Sequence, residues 1–353
     1  MSIHVNEATN LFHLQTAHTS YIFRVLENGE LGQIYYGDRI PVKAAYPNLT
    51  RMEEHDCTNT LSEEQTDFQL EMIKQEYASF GKGDYRTPAY QITGPNGSRI
   101  TEFAYAGYEL SEGKERLGDL PASFDDDHHD SQTLTVKLVD HLLHLELALH
   151  YTVFEQEDVL VRSATFTNHG APVFINRAIS AQLDLPDADY DFLQFSGTWS
   201  RERHLYRNHL RPGSQSIESA RGHSSHQENP FFILARPHTD NNHGAAFGFN
   251  FIYSGNFKDE IEVDQFDTTR VLVGINPLEF GWHLKTDATF QTPEAVLTYT
   301  SDGLNALSQQ LGRFYNHHLL NPRFVKQERP ILINNWEATF MDFTEDKLMP
   351  IVK

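Results

Sequence analysis

A single cysteine, Cys57, stands in a chain of 353 residues, so no internal disulfide can form. That usage suits a reducing cytoplasm, the compartment expected for this chain. Positive charge is scarce: 28 Lys and Arg stand against 49 Asp and Glu, a formal net charge of −21. A surface of that sign repels phosphate backbones, so nucleic acid is not expected as a partner. No apolar run approaches the roughly 20 residues that span a bilayer, and no membrane association is expected. Met1 to Glu7 lacks a basic stretch followed by an apolar core and does not read as a secretory signal. Repeats and low-complexity tracts are absent, and residues 90 to 300 show no helical period of useful length.

What is present is alternation. Phe12 and Leu14, then Tyr21, Phe23 and Val25, recur at the strand period. Asn28-Gly29 is a hairpin signal, and Leu31 to Tyr36 is its return strand. From residue 90 onward strand follows strand, with Leu143, Leu145, Leu147, Leu149, Tyr151 and Val153 as a long alternating series. Others are Leu134 to Leu138, Leu160 to Asn168, Phe174 to Ala181, Phe231 to Ala235, Ala245 to Tyr253, Ile261 to Phe266, Arg270 to Ile275 and Ala295 to Tyr299. So many strands need two packed sheets or a barrel to bury their inner faces. The 39% hydrophobic content and 24 Phe are ample for such a core.

Two stretches break the pattern. Residues 41 to 90 form a long, mostly polar excursion, which either caps a sheet edge or carries function. In Ser301 to Pro322, Leu304, Leu307, Leu311, Phe314 or Tyr315, and Leu319 fall on one helical face. Ser301 or Asp302 is positioned to cap that helix and Pro322 to stop it. Beyond it, Ile331 to Ile333 is a continuous apolar run of the kind found in strands buried on both faces. Thr344, Glu345 and Asp346 then open a second helix, which the sequence carries as far as Lys353. Strand, polar edge and capped helix make one β/α unit, with Asn334, Asn335, Trp336 and Glu337 on the edge where an α/β barrel keeps its ligand groups. The expected division is a β domain over 1–300, a linker helix and connection over 301–328, and the start of a barrel over 329–353.

Metal-like clusters fail on geometry. In Asp125 to Asp130 adjacent residues point apart, and neither a His pair at helical i, i+4 spacing nor a Cys accompanies them, so a solvated acidic loop is expected. His317-His318 fails the same test. His141, His144 and His150 read as solvent-facing positions along one long strand, with His144 and His150 on the same face. Ser224, Ser225 and His226 lack a Gly-x-Ser-x-Gly elbow, and that loop reads as a brace at the sheet edge. No metal or cofactor is expected. Trp336 differs, because an indole face stacks on a sugar while neighbouring amides and a carboxylate match its hydroxyls. A tryptophan packed between domains is the alternative.

Arg329 to Phe343, centred on Asn334-Asn335-Trp336-Glu337-Ala338-Thr339, is one of four segments that share a pattern. The others are Gln75-Glu76-Tyr77 with Gly83 to Ala89, Arg221 to Phe231, and Gly274-Ile275-Asn276-Pro277 with Phe280 and Trp282. In this order they resemble glycoside hydrolase family 36, the microbial α-galactosidases, nearly end to end.

The resemblance implies a mainly β fold: a large antiparallel two-sheet β-supersandwich, galactose mutarotase-like, followed by a (β/α)8 catalytic barrel. It implies retaining hydrolysis of terminal α-linked galactose from melibiose- and raffinose-type oligosaccharides by a homotetramer. Retention needs two carboxyl groups about 5–5.5 Å apart. The family's two aspartates stand on later barrel strands. The catalytic residues are therefore expected beyond Lys353, and this chain alone is expected to be inactive. Trp336, with Asn335 and Phe340 behind it, is implied as pocket wall, and Phe340 replaces a common Tyr and removes one hydroxyl. Family tetramers send the 41–90 excursion into a neighbouring subunit, where Thr50 and Thr66 stand in place of an Asp and an Arg. A stand-alone carbohydrate-binding or assembly module, and an α-N-acetylgalactosaminidase, are the alternatives.

Overall fold

Alternation along each strand decides which layer a side chain joins. In Leu145–Phe154 the odd-numbered residues from Leu145 to Val153 enter one core. Its neighbour Val159–Asn168 sends Leu160, Ala164 and Phe166 to that core, and Val159 and Val161 to the opposite face. The same division runs through Phe232 and Leu234 against Ile233 and Ala235. These strands belong to a ten-stranded antiparallel sheet between Arg201–His209 at one edge and Ala104–Glu112 at the other. The structure is a computed structural model that describes residues 2–50, 68–125 and 131–352.

Two smaller antiparallel sheets accompany it. One has four strands in sequence order, from Ile3–Asn6 to Leu31–Asp38. The other has six, with Val173–Leu185 and Thr269–Ile275 at its centre. Phe12 and Phe23 of the first, Leu183 and Ile261 of the second, and Leu134 and Phe166 of the large sheet share one core. The expected sandwich is therefore one broad sheet against two separate ladders. Asn28-Gly29 makes the predicted hairpin: Gly29 has φ +82°, a conformation that glycine adopts without strain. The helix Gly303–Phe314 covers the other face of the large sheet with Leu307, Leu311 and Phe314. The chain forms two compact units, 1–319 and 320–353, and this helix belongs to the first. Among the described residues no helix is long and apolar enough to cross a membrane.

Polar residues cross the first core in two linked groups. Arg162 lies on the inner face of the large sheet, 2.7 Å from Glu76 Oε1 and 4.4 Å from the Tyr151 ring. The hydroxyls of Tyr21 and Tyr151 donate to the same Glu76 oxygen at 2.6 and 2.9 Å. Burial pushes the Glu76 carboxyl up to about 7, against the pull of Arg162 and the two hydroxyls. In the second group Arg270 reaches Asp84 and Asp184, each at 2.9 Å, and Arg86 pairs with Asp84 at 2.8 Å. Arg86 also donates to the carbonyls of Leu70 and Ile73, both at 2.8 Å. The second half of the excursion is thus bolted to the sheets by buried charge.

Several expectations are corrected. Ile3–Asn6, Asp191–Thr198, Arg201–His209 and Gly213–Glu218 are strands outside the alternating series. Arg201–His209 is exposed throughout and joins the sheet through its backbone ladder and the contacts of Arg207 and His209 with Asp191, so it carries no apolar alternation. Asp302 occupies the helix N-cap without a side-chain hydrogen bond, and Pro322 opens a short helix, Pro322–Val325. His141 and His144 lie in the turn before Leu145, with His144 at φ 53°, rather than on a strand with His150. His150 is half-buried, and its two ring nitrogens meet the hydroxyls of Thr135 and Thr165 at 3.1 and 2.8 Å.

The buried polar groups make stability sensitive to mutation and to pH. Arg162→Met should lower unfolding free energy by about 3–5 kcal/mol, because it removes the cation that answers the buried Glu76 carboxyl and two tyrosine hydroxyls. Adding Glu76→Gln should recover part of that loss in urea titrations; losses that add would show that the pair is not coupled. Burial, and to a lesser degree Lys114, lowers His150 to about 4. A neutral folded imidazole contributes stability that is present above pH about 6.5 and lost as the pH falls towards 4. The urea midpoint of the unmodified chain should therefore fall more steeply over that window than that of His150→Gln. Parallel profiles would refute this.

Candidate functional site

In the second unit an apolar run meets water. Ile331 and Leu332 are 98% and 90% exposed, and residues 327 to 335 form no helix or strand. The buried strand expected at Ile331 to Ile333 is thus not formed. A parallel strand needs neighbours to take its N–H and C=O groups, and among the described residues none pairs with it. The chain instead turns into the short helix Trp336–Thr339. Asn334 Oδ1 accepts from the Trp336 amide at 2.9 Å and starts that turn.

The three residues proposed for a pocket wall fall together in it. Trp336 is half-exposed and meets Phe340 edge to face, with ring centroids 5.7 Å apart. Asn335 Nδ2 donates to Thr339 Oγ1 at 2.7 Å, so its amide is turned inward on the helix. Phe340 has φ 47°, an unusual conformation for a bulky residue, and its amide closes the turn on the Trp336 carbonyl at 2.8 Å. An indole and a phenyl ring at right angles leave one open aromatic face, which is the element a sugar stacks on. The last helix, Glu345–Val352, follows Thr344, whose carbonyl accepts from Lys347 and Leu348. The helix read as running to Lys353 is thus described as far as Val352, and Lys353 lies outside the described residues.

The other segments of the pattern hold the fold together. Gln75 and Glu76 are buried, as are Asp84 and Arg86, within the ion groups described above. Gln182 extends the tie: its side chain accepts from the Ala78 amide at 2.8 Å and donates to the Gln75 carbonyl at 3.0 Å. The loop of Arg221 to Phe231 is braced by Ser219 Oγ to the His223 carbonyl at 2.6 Å and by the Ser224 amide to the Ser254 carbonyl at 2.9 Å. Asn276 is buried and donates to the Ser219 carbonyl at 3.2 Å. Trp282 is half-exposed and packs on Phe290 at 5.2 Å.

Thr50 is half-buried and donates to the Tyr46 carbonyl at 3.2 Å; Thr66 and Cys57 lie outside the described residues, as do Asp126 to Asp130 of the acidic run. Asn48 and Leu49, beside Thr50, border a cleft lined by Tyr35, Tyr36, Tyr190, Phe247 and Tyr299. Sequence reading did not single out this cleft, because its rings come from strands far apart in the chain. It also missed Glu157, which lies beside His317 and His318.

The Glycosyl hydrolase family 36 N-terminal domain model matches residues 29–285, and the Melibiase model matches residues 289–353. The chain belongs to glycoside hydrolase family 36. It is 41% identical to alpha-galactosidase AgaA of Geobacillus stearothermophilus, over 100% of this chain and 48% of that protein. It is 38% identical to alpha-galactosidase 1 of Pediococcus pentosaceus, over 99% of this chain and 48% of that protein. Among solved structures, the alpha-galactosidase from Lactobacillus brevis superposes with a TM-score of 0.96 at 61% identity, covering 99% of this chain and 47% of that one. An AgaA variant crystallised with raffinose gives 0.92 at 41% identity, over 97% of this chain and 48% of that one. The chain thus spans about half the length of the curated relatives it matches. The mainly antiparallel β fold read from the strand series is that of family 36.

The exposed run predicts behaviour in solution. The 353-residue chain should bind an apolar dye strongly, and deletion of residues 329–353 should abolish most of that binding while the near-ultraviolet spectrum of the β unit persists. A dye-silent full chain would contradict the exposure of Ile331 to Phe343.

Proposed function

We propose that this chain supplies the N-terminal part of a retaining α-galactosidase that removes terminal α-linked galactose from melibiose- and raffinose-type oligosaccharides. The observation that carries this reading is the pair of family matches over residues 29–285 and 289–353, which includes the Trp336 segment. A relative that superposes closely was crystallised with raffinose, which supports the substrate class. In this reading residues 329–353 begin a (β/α)8 barrel, and the run Ile331 to Ile333 becomes its first strand once neighbouring strands take up its backbone groups. The two carboxyl groups of the retaining mechanism then come from the part of that barrel beyond Lys353, one as nucleophile and one as acid and base.

Trp336 forms a wall of the galactose pocket in this enzyme, with Asn335 and Phe340 behind it. Its contribution is stacking on the apolar face of the sugar, which orients the anomeric carbon without taking part in proton transfer. The enzyme is a homotetramer of the cytoplasm, in keeping with a single cysteine and with the excursion around Thr50 as an inter-subunit element.

The test is turnover. The frame extended through the barrel should hydrolyse nitrophenyl α-galactoside and raffinose with retained anomeric configuration, and the 353-residue chain should not. Trp336→Ala in the extended enzyme should lower kcat/KM about 10- to 100-fold, a loss of the size expected for one aromatic contact. An extended protein without galactosidase activity, or one whose product is inverted, would overturn the reading. An unchanged kcat/KM would remove Trp336 from the pocket.

A further inference from the structure

The hairpin turn between Leu145–Phe154 and Val159–Asn168 carries Glu157, and a π-helical turn, Tyr315–Leu319, carries His317 and His318. Neighbours on a regular α-helix point about 100° apart. A π turn holds more residues per turn and swings neighbours by less, so two adjacent histidines can address one point. Here they address Glu157. Its Oε1 lies 3.3 Å from His317 Nδ1 and 3.6 Å from His318 Nε2. One donor atom from each of the three residues lies within 4.8 Å of the other two.

The surroundings fix the orientation of these groups. His318 is buried, and its ring sits 4.4 Å from Phe154 and 5.8 Å from Phe314. Its Nδ1 is 3.1 Å from the Phe124 carbonyl. Its Nε2 is the nitrogen turned towards Glu157, and a histidine tied through its other nitrogen to a carbonyl is the usual outer support of a metal ligand. The Glu157 side chain is 8% exposed, and its Oε2 has no hydrogen-bond partner among the described residues. A buried carboxylate oxygen left unpaired is costly, which points to a group not yet placed. His317 is exposed and opens the cluster to solvent.

We propose that Glu157, His317 and His318 form a binding site for a divalent transition metal, zinc by ligand type, with water in the remaining position. Two nitrogens and a carboxylate oxygen are zinc ligands, and bonds of about 2.0–2.1 Å at tetrahedral angles place ligand atoms roughly 3.3 Å apart. The observed separations from Glu157 are close to that edge. The third is closed by rotation of the exposed His317 ring. The metal would clamp the end of the covering helix to the hairpin turn. Glu157 and His317 stand 160 positions apart in the chain, so no local spacing motif announces the site.

The test uses the 353-residue chain, stripped with a chelator and titrated with zinc chloride in a calorimeter. About one equivalent should bind, and Co2+ in its place should show the visible bands of a four-coordinate site. Zinc should raise Tm in proportion to its occupancy. His317→Ala changes an exposed side chain and should weaken zinc binding at least about tenfold; Glu157→Gln, of equal size, should do the same. If the folded chain binds no zinc, the three residues form an ion pair only, and the proposal is wrong. If both variants bind zinc as tightly as the unmodified chain, the metal sits elsewhere, and the proposal is equally wrong. Should Glu157→Gln fail to fold, His317→Ala decides alone.

Discussion

Two arginines buried in the sandwich set the position of the excursion that crosses it. Arg162 and Arg270 are both fully enclosed, and each is answered by carboxylates from segments distant in sequence. Glu76 reaches Arg162, and Asp84 reaches Arg270 alongside Asp184 of the six-stranded sheet. A charge buried without its partner costs several kcal/mol, so these pairs form together or not at all. They hold residues 75–86 in one register, and that register places Tyr90–Thr93 against Val173–Leu185. Residues 75–86, a mostly polar segment, are thereby tied to the sheets by buried charge.

The broad sheet is the surface on which the rest is arranged. Its inner face, rich in Phe, Leu and Tyr, meets the two smaller ladders, and its outer face receives the helix Gly303–Phe314. The hairpin turn before Val159 serves both sides. Asp158 accepts from Thr16 Oγ1 at 2.6 Å and from the His18 amide at 2.8 Å, while Glu157 faces the two histidines at the helix end. One four-residue turn thus links the N-terminal strands, the large sheet and the covering helix, where a metal would add a further tie.

The second unit shows the dependence of a β/α element on its context. Ile331 to Ile333 has the composition of a buried parallel strand, yet it stands exposed without neighbours among the described residues. Trp336, Asn335 and Phe340 still gather on one short helical turn, because Asn334 and the backbone supply local hydrogen bonds. A pocket wall needs the aromatic faces to be fixed against a ligand, and that requires strands on both sides of the run.

By itself the sequence determined the β class, the strand series, the Asn28-Gly29 hairpin and the helix that follows, since each rests on local periodicity or turn chemistry. The polar edge strand Arg201–His209 escaped, because pairing through the backbone leaves no trace in side-chain pattern. The family motifs marked Glu76, Asp84 and Arg86 as special without saying why. Only the tertiary structure showed that they are buried counterions, because their partners Arg162, Asp184 and Arg270 come from other strands. The same holds for Glu157 beside His317 and His318. Local order follows from short-range spacing, whereas the meeting of charges depends on how sheets close around a common core, and that is decided by contacts across the whole chain.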